Sequence, residues 1–178
     1  KLWGEGFNFH ILSVGTLKAP KDHATLIRAF ALLPESLSAK LIILGEGQLR
    51  GELEDLIREL GLQDKVHLPG FMIDPSPWFR SADLFVLSSL YEGFGNVIVE
   101  ALECGVPVVS TDCPSGPAEI LDHGRIGKLV PIRDQESLSR AMTASYFEEH
   151  DRRVLMDRAK DFSIERISVQ YLDYFWSE

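Results

Sequence analysis

Apolar runs alternate along the chain with segments in which apolar residues recur at helical spacing. The apolar runs predict six strands, at residues 9–17, 39–44, 66–68, 82–88, 106–110 and 128–130. The segments between them predict helices at 23–33, 49–60, 77–80, 95–104 and 118–121, with two or three more in residues 134–178. Repeated strand-helix units with short connections form right-handed crossovers and a parallel sheet. We therefore predict one domain over residues 1–178, a doubly wound, Rossmann-like α/β fold of about six parallel strands with helices on both faces.

The composition is that of an ordinary globular protein and narrows the function only by exclusion. Acidic residues outnumber basic ones by 27 to 18, so a broad basic surface for nucleic acid is not expected and an anionic ligand must be held locally. No apolar run approaches the roughly 18 residues that a membrane span needs. We expect a cytoplasmic protein, and the start at Lys1 suggests a piece cut from a longer polypeptide.

Cysteine and histidine give no sign of a disulfide framework or a metal site. Cys104 and Cys113 are too few for a framework, and the five histidines show no metal-ligand spacing. We interpret both cysteines as structural thiols.

The most informative segment is residues 88–105, between the fourth strand and the helix behind it. Gly93 and Gly95 let the backbone approach a ligand, and the first turn of the helix offers N–H groups at the positive end of its dipole. Because ligands of doubly wound sheets lie at the carboxyl ends of the strands, we expect a phosphate there. Glu92 stands just outside the helix start and Glu100 inside it. From spacing alone, Glu100 is either a solvated surface carboxylate or part of the site.

Residue identities in this segment resemble a known signature. Glu92 and Glu100 form E-x7-E, and with Gly93-Phe-Gly95 and residues 101–109 they are similar to glycosyltransferase family four, retaining enzymes of the two-domain GT-B fold. Further similar segments are residues 14–17 with Lys21, 43–47, 66–70, 111–121 and 127–131. The resemblance covers nearly the whole chain and implies the carboxyl-terminal half of a GT-B enzyme. The amino-terminal domain that holds the acceptor is missing.

The resemblance implies roles for the matching residues. Glu92 is the catalytic candidate, facing the donor sugar near the reacting carbon, and Glu100 accepts hydrogen bonds from the ribose hydroxyls. Lys21 supplies a point charge to the diphosphate. The other donor-binding candidates are Gly15 and Thr16 in the first loop, Phe71 and Met72 beside the nucleobase, and Gly93, Phe94, Gly95, Asn96 and Val97, which hold sugar and phosphate oxygens.

Thr16 departs from the family pattern, which usually has arginine directly after the first-strand glycine. Arginine binds phosphate through two parallel hydrogen bonds, whereas threonine offers one hydroxyl. Lys21 then acts alone at the diphosphate, or Lys18 joins it; we prefer a solvent-exposed Lys18. The substitution bears on donor affinity and not on the fold.

The implied function is donor binding in a retaining glycosyltransferase that uses a nucleoside diphosphate sugar in cell-surface glycan synthesis. Residues 112–117 loosely resemble bacterial transferases of that kind, which favours a UDP-linked N-acetylhexosamine or hexose. The chain lacks the D-x-D motif of metal-dependent transferases, so no metal or other cofactor is expected. The implied partners are the nucleotide sugar, the missing domain and, through that domain, the inner face of the membrane. The fragment alone should bind nucleotide weakly and transfer nothing, because a closed cleft needs both domains.

Three alternatives remain. A dinucleotide-binding oxidoreductase is suggested by Gly45-Glu-Gly47 with Gly51, but the glycine spacing is wrong and the ribose-binding acid is absent. A nucleotide-sugar epimerase of the same two-domain architecture would bind the same ligand. A non-catalytic nucleotide-sugar-binding module is compatible with Thr16.

Other prominent side chains are interpreted as structural. We predict Trp78, Phe79 and Phe85 in the core, His67 in a structural hydrogen bond, and His123 and Arg125 in solvent. Tyr171, Tyr174, Phe175 and Trp176 form an aromatic stripe on the predicted last helix. In the two-domain fold that helix crosses to the partner half, so the stripe would be exposed without it.

Overall fold

The computed structural model describes residues 2–163, which form a parallel sheet covered by helices on both faces. The strands are β1 (Phe9–Val14), β2 (Ala39–Leu44), β3 (Val66–Gly70), β4 (Leu84–Leu87), β5 (Val108–Thr111) and β6 (Lys128–Val130). The α-helices are α1 (His23–Ala31), α2 (Arg50–Glu59), α3 (Ser76–Ser81), α4 (Asn96–Glu103), α5 (Pro117–Ile120), α6 (Gln135–Phe147) and α7 (Arg152–Lys160). The predicted fold class, a Rossmann-like doubly wound sheet, is confirmed.

The strand order places a topological switch point in the middle of the sheet. The order is β3-β2-β1-β4-β5-β6, and every neighbouring pair is parallel. Successive strands therefore run outward from β1 in one direction and from β4 in the other. Ile11 of β1 pairs with Leu84 of β4, and Leu12 pairs with Phe85. A crevice opens beyond the carboxyl ends of two such strands because the loops after them leave in opposite directions.

Both faces of the sheet are packed, because successive side chains of a strand point to opposite sides. Ile11 packs with α1, α2 and α6 on one face, whereas Leu12 packs with α3, α4 and α7 on the other. β2 is buried along its whole length, as its apolar run predicts. Trp78, Phe79 and Phe85 are buried, which confirms them as core residues. Burying each such side chain contributes about 1.5–3 kcal/mol.

Element boundaries differ from the prediction where loops begin. The first strand ends at Val14 and not at Leu17, because the chain turns at Gly15, whose N–H donates to the carbonyl of Leu44 at 2.9 Å. β4 begins and ends inside the predicted 82–88, and β5 begins two residues later than predicted, at Val108. The second and sixth strands have the predicted bounds.

Two or three helices were predicted after the sheet, and the described part of that region, residues 134–163, contains α6 and α7. The Asp134 side chain caps α6 by accepting a hydrogen bond from Ser137 N–H at 2.8 Å. The Asp151 side chain caps α7 by accepting one from Arg153 N–H at 2.9 Å. The predicted aromatic stripe at residues 171–176 lies outside the described part of the chain. Among residues 2–163, no helix is long and apolar enough to span a bilayer.

Candidate functional site

The first part of the candidate site is the loop of residues 15–22, which joins β1 to α1. The loop lies directly against Gly45, where a Cβ atom would stand 2.0 Å from the Gly15 carbonyl oxygen. Leu17 is fully buried beneath the loop, and its N–H donates to the carbonyl of Glu46 at 2.9 Å. The loop is thus held against the turn after β2.

The second part is the segment that follows β4, and it is fastened to the first loop. Ser88 Oγ donates to the carbonyl of Lys21 at 2.8 Å. Leu90 N–H donates to the carbonyl of Pro20, also at 2.8 Å. These two hydrogen bonds join the loops across the switch point and fix the position of Lys21.

Lys21 and Glu92 form an ion pair across the crevice. Lys21 Nζ lies 2.6 Å from Glu92 Oε1 and 2.8 Å from Oε2. Ser89 Oγ donates to Oε1 at 2.5 Å, and the Ser89 carbonyl in turn accepts from Thr111 Oγ1 at 2.6 Å. Only 22% of the Lys21 side chain and 9% of the Glu92 side chain are exposed. The sequence pattern pointed to both charged residues but not to Ser89, because a buried serine at a strand end resembles any structural serine.

Helix α4 begins directly behind Glu92. Its N-cap is Gly95, at φ +97°, which no side chain caps with a hydrogen bond. The first-turn N–H groups therefore keep the positive end of the helix dipole, equivalent to about half an elementary charge. Gly93 and Asn96 are exposed, while Phe94 and Val97 are half-buried. This arrangement suits an anionic ligand at the carboxyl end of β4.

Glu100 lies further along α4 and is half-buried, whereas its neighbour Glu103 is exposed. Burial raises the pKa of the Glu100 carboxyl, and the charge of Glu103 raises it further. Ligand groups that donate hydrogen bonds to this carboxylate would favour its ionised form and offset the cost of burial.

The remaining candidates lie near the same edge of the sheet. Thr16 and Lys18 are exposed on the first loop, as we expected for Lys18. Phe71 and Met72 follow β3, which is separated from β1 by β2. Phe71 is 72% exposed, and Met72 packs partly against the core. The structure thus brings Lys21 and Glu92 into contact and places Phe71 and Met72 two strands away.

His23 is a residue of this region that the sequence analysis treated only as the start of a helix. It is 4% exposed, and its ring lies beside the backbone of Thr16 and Gly15. Burial lowers the pKa of His23 to about 4, although the backbone of Thr16 and Gly15 acts in the opposite direction. The ring is therefore neutral near pH 7 and adds no second cation beside Lys21.

Residues outside the crevice match their structural interpretation. Lys40 Nζ contacts His67 Nε2 at 2.9 Å. His123 and Arg125 are exposed, Cys113 is buried and Cys104 half-buried, and both thiols are free. Burial raises the pKa of both thiols. In the described residues, no three His, Cys, Asp or Glu side chains are grouped so that they could hold a metal ion.

Two cavities lie along α2, and one of them reaches the loop of residues 15–22. One, of about 540 Å³, runs between α1 and α2 and is lined in part by Lys18 and His23. The other, of about 410 Å³, lies along β3 beside His67. Neither is lined by Glu92 or Glu100.

The fold places this chain in the class of doubly wound α/β proteins, in which a cation and a helix N-terminus beside the switch point suit phosphate esters. Comparison with known proteins narrows this class. The sequence model of the family described as glycosyl transferases group 1 matches residues 6–162, and the chain belongs to that family. The family predicted from the E-x7-E segment is confirmed.

Individual relatives agree with this assignment. The chain is 41% identical over 150 residues to N-acetylgalactosamine-N,N'-diacetylbacillosaminyl-diphospho-undecaprenol 4-alpha-N-acetylgalactosaminyltransferase of Campylobacter jejuni, a match that covers 84% of this chain and 40% of the relative. It is also 35% identical over 173 residues to the lipopolysaccharide core biosynthesis glycosyltransferase LpsE of Rhizobium meliloti. That match covers 94% of this chain and 50% of LpsE. The chain thus spans about half the length of these curated relatives or less.

Solved structures show the same fold. Anabaena Alr3699/HepE in complex with UDP matches with a TM-score of 0.84 and 27% identity, over 96% of this chain and 49% of that one. The apo form of the lipopolysaccharide outer core galactosyltransferase WaaB matches with a TM-score of 0.87 and 22% identity. This match covers 95% of this chain and 49% of the WaaB chain. The fold of this chain is that of the carboxyl-terminal half of a GT-B enzyme.

Proposed function

We propose that this chain is the donor-binding domain of a retaining glycosyltransferase, which holds a nucleoside diphosphate sugar during sugar transfer. The observation that carries the proposal is the convergence of Lys21 and Glu92, 71 residues apart, at the N-terminus of α4, with Glu100 in the same helix. A donor needs a cation for the diphosphate and carboxylates for the sugar and the ribose. Membership in the transferase family supports this assignment of the three charges.

In this proposal the diphosphate lies between Lys21 and the first turn of α4. Lys21 contributes a point charge, and the backbone N–H groups near Gly95 and Asn96 contribute hydrogen bonds. Together they stabilise the negative charge that builds on the leaving nucleotide as the glycosidic bond breaks. Thr16, with the Gly15 backbone, adds one hydroxyl where the family usually has arginine. Lys21 and the dipole of α4 neutralise the diphosphate charge that a divalent cation would otherwise neutralise, so the proposal includes no metal.

The nucleoside is proposed to lie across α4 and the loop after β3. Glu100 accepts hydrogen bonds from the two ribose hydroxyls, which favours the ionised carboxylate despite its raised pKa. Phe71, with its ring largely exposed, and Met72 lie beside the base. We propose uracil as the base and an N-acetylhexosamine or hexose as the sugar. UDP in the solved Alr3699/HepE complex supports the choice of nucleotide.

Glu92 is proposed to face the hydroxyls of the donor sugar near the reacting carbon. In the structure its two oxygens are engaged by Lys21 and Ser89. Donor binding must therefore open or share the Lys21–Glu92 pair, while Ser89 keeps the carboxylate in place. Retention of configuration is part of the proposal through the family resemblance.

The acceptor is proposed to bind a separate amino-terminal domain, which closes over the crevice. The open site, lined by exposed residues such as Thr16, Phe71 and Asn96, supports this arrangement. The chain alone should then bind nucleotide weakly and transfer nothing, since closure excludes water and completes the site. The names of the relatives from Campylobacter jejuni and Rhizobium meliloti support a role in cell-surface glycan synthesis. We place the protein in the cytoplasm, at the inner face of the membrane.

A non-catalytic nucleotide-sugar-binding module is a second candidate, favoured by one observation, Thr16 in place of arginine. An epimerase of the same architecture would share the donor site. Sugar transfer by the two-domain protein, abolished by Glu92→Gln, would exclude both alternatives.

The proposal is tested by titration calorimetry of the chain with UDP, GDP and ADP, with and without magnesium. UDP should bind without magnesium, and Glu100→Ala should weaken binding on the order of tenfold to a hundredfold, because it removes hydrogen bonds to a charged group. Glu103→Ala is the matched control, since it removes an exposed carboxylate from the same helix.

Two results would contradict the proposed site. Binding that requires magnesium would mean that Lys21 and the helix dipole do not suffice. Unchanged binding by Glu100→Ala would mean that the ribose lies elsewhere. If no nucleotide binds to the chain or to the two-domain protein, the donor-binding function itself is wrong.

A further inference from the structure

The loop of residues 112–116, between β5 and α5, lies against the segment that carries Glu92. Glu92 N–H donates to the carbonyl of Pro114 at 3.4 Å. Two residues further along both segments, an added Cβ on Gly116 would stand 1.7 Å from the carbonyl oxygen of Phe94. Only glycine fits at such a close approach to a neighbouring backbone. The loop therefore forms a side of the proposed donor site, in which no ligand contact has so far been assigned to it.

Ser115 stands between these two contacts, next to Gly93 on the facing segment. Because residues 114 and 116 meet residues 92 and 94, the residue between the first two lies alongside the residue between the other two. Ser115 and Gly93 are both exposed, and an added Cβ on Gly93 would meet no atom within 4 Å. The Ser115 hydroxyl is thus accessible to a ligand close to Glu92, the carboxylate proposed to face the donor sugar.

The backbone of Ser115 has a conformation that serine rarely adopts. Its φ is +66°, in the left-handed region, and it precedes α5, whereas a left-handed residue more often follows a helix. Such strain persists where the surrounding structure fixes it, and it clusters at ligand sites. Here the close contact of Gly116 with Phe94 fixes the turn and holds Ser115 beside the site.

We infer that Ser115 is a further donor-binding residue, whose hydroxyl forms a hydrogen bond with the sugar of the nucleotide sugar. This inference rests on the proposed function. A serine hydroxyl both donates and accepts, so it can pair with a sugar hydroxyl or with the carbonyl of an acetamido group. Glu92 and Ser115 then contact the sugar from two adjacent segments, while Lys21 and Glu100 hold the nucleotide. A change at Ser115 should therefore affect the binding of UDP-sugars and not that of UDP.

The test compares Ser115→Gly and Ser115→Ala with the wild type by calorimetric titration. The ligands are UDP and its conjugates with glucose, galactose, N-acetylglucosamine and N-acetylgalactosamine, and the wild type shows which sugar adds most to the affinity for UDP. In both variants the affinity for that UDP-sugar should fall about threefold to tenfold, as expected for one lost hydrogen bond, while the affinity for UDP stays within about twofold. Glycine adopts a positive φ readily and alanine does not. Equal losses in the two variants therefore assign the effect to the hydroxyl and not to the backbone.

Ser38→Gly is the matched control. Ser38 also has a left-handed φ, of +42°, but it directly precedes β2 and so lies at the opposite edge of the sheet. This variant should bind UDP and the UDP-sugar like the wild type.

Several results would overturn the inference and leave the proposed function standing. They are wild-type affinity for the UDP-sugar in Ser115→Gly, a loss confined to Ser115→Ala, an equal loss of affinity for UDP, or a wild type in which no sugar adds to the affinity for UDP. A wild type that binds neither UDP nor any of the UDP-sugars, alone or within the two-domain protein, contradicts both the inference and the proposed function.

Discussion

Replacing Glu92 by glutamine is expected to strengthen UDP binding even as it abolishes sugar transfer. In the structure both carboxylate oxygens of Glu92 hold Lys21 Nζ, at 2.6 and 2.8 Å. A diphosphate must draw Lys21 away from Glu92 or share it, and it carries the same sign of charge as that carboxylate. UDP lacks the donor sugar that is proposed to face Glu92, so it gains no contact with Glu92 in return. The carboxylate therefore opposes UDP binding, and glutamine removes most of that opposition at nearly constant shape.

The magnitude follows from the exposure of the ion pair. A fully exposed pair contributes about 0.2–1 kcal/mol, and a hydrogen bond to a charged group inside a protein about 1.5–3 kcal/mol. With 22% of the Lys21 side chain and 9% of the Glu92 side chain exposed, this pair lies between the two limits. We take its strength as about 1–2 kcal/mol, which corresponds to about a fivefold to thirtyfold gain in UDP affinity.

The assay is calorimetric titration of the wild type and Glu92→Gln with UDP, at low salt and at about 0.5 M salt, where screening should reduce the gain. Glu103→Gln removes an exposed carboxylate of α4 and is the matched control. Transfer by the two-domain protein should fall at least about a hundredfold in Glu92→Gln. Unchanged or weaker UDP binding by Glu92→Gln would refute the reasoning that Glu92 and the diphosphate compete for Lys21.

Two further predictions concern stability. Gly45→Ala should lower the free energy of unfolding in urea by about 2–4 kcal/mol, because its Cβ would stand 2.0 Å from the Gly15 carbonyl oxygen at φ +149°. Gly51 lies in α2, where an added Cβ would meet no other atom, so Gly51→Ala should raise the free energy of unfolding by up to about 1 kcal/mol. Similar losses of stability in both variants would contradict the steric argument. Because burial lowers the pKa of His23 from 6.5 to about 4, the unfolded chain binds the proton first, and stability should fall as the pH drops through that window. This loss should reach at most about 3 kcal/mol and be missing in His23→Phe; parallel stability curves for the two proteins would show that another group is responsible.

The fold was largely predictable because the strands of a parallel sheet are buried on both faces. β2 is apolar apart from Lys40 for that reason, and its bounds match the prediction. The end of β1 did not match, since apolar residues continue to Leu17. That residue is buried through loop contacts with the turn after β2, and no local pattern separates such burial from that of a strand.

The charged residues of the candidate site were found from residue types in a family pattern, and the roles given to them there stay predictions. The contact between Lys21 and Glu92 was not foreseen, because the pattern assigned one to the diphosphate and the other to the sugar. Ser89 and His23 escaped notice for a related reason. Ser89 is distinguished by its partners across the fold and His23 by its burial, and neither property is visible in the linear sequence.

The switch point also divides the sheet into two halves that meet along one seam, the pairing of β1 with β4. Residues up to 70 carry β1–β3 with Lys21, and residues from 76 onward carry β4–β6 with both carboxylates, while Ile73 in the joining loop is 94% exposed. A ligand held by Lys21 and Glu100 bridges that seam, so nucleotide and strand pairing stabilise each other by mass action. Binding of the proposed donor should therefore stabilise the pairing of β1 with β4. Amide hydrogen exchange in these two strands should slow when the donor binds.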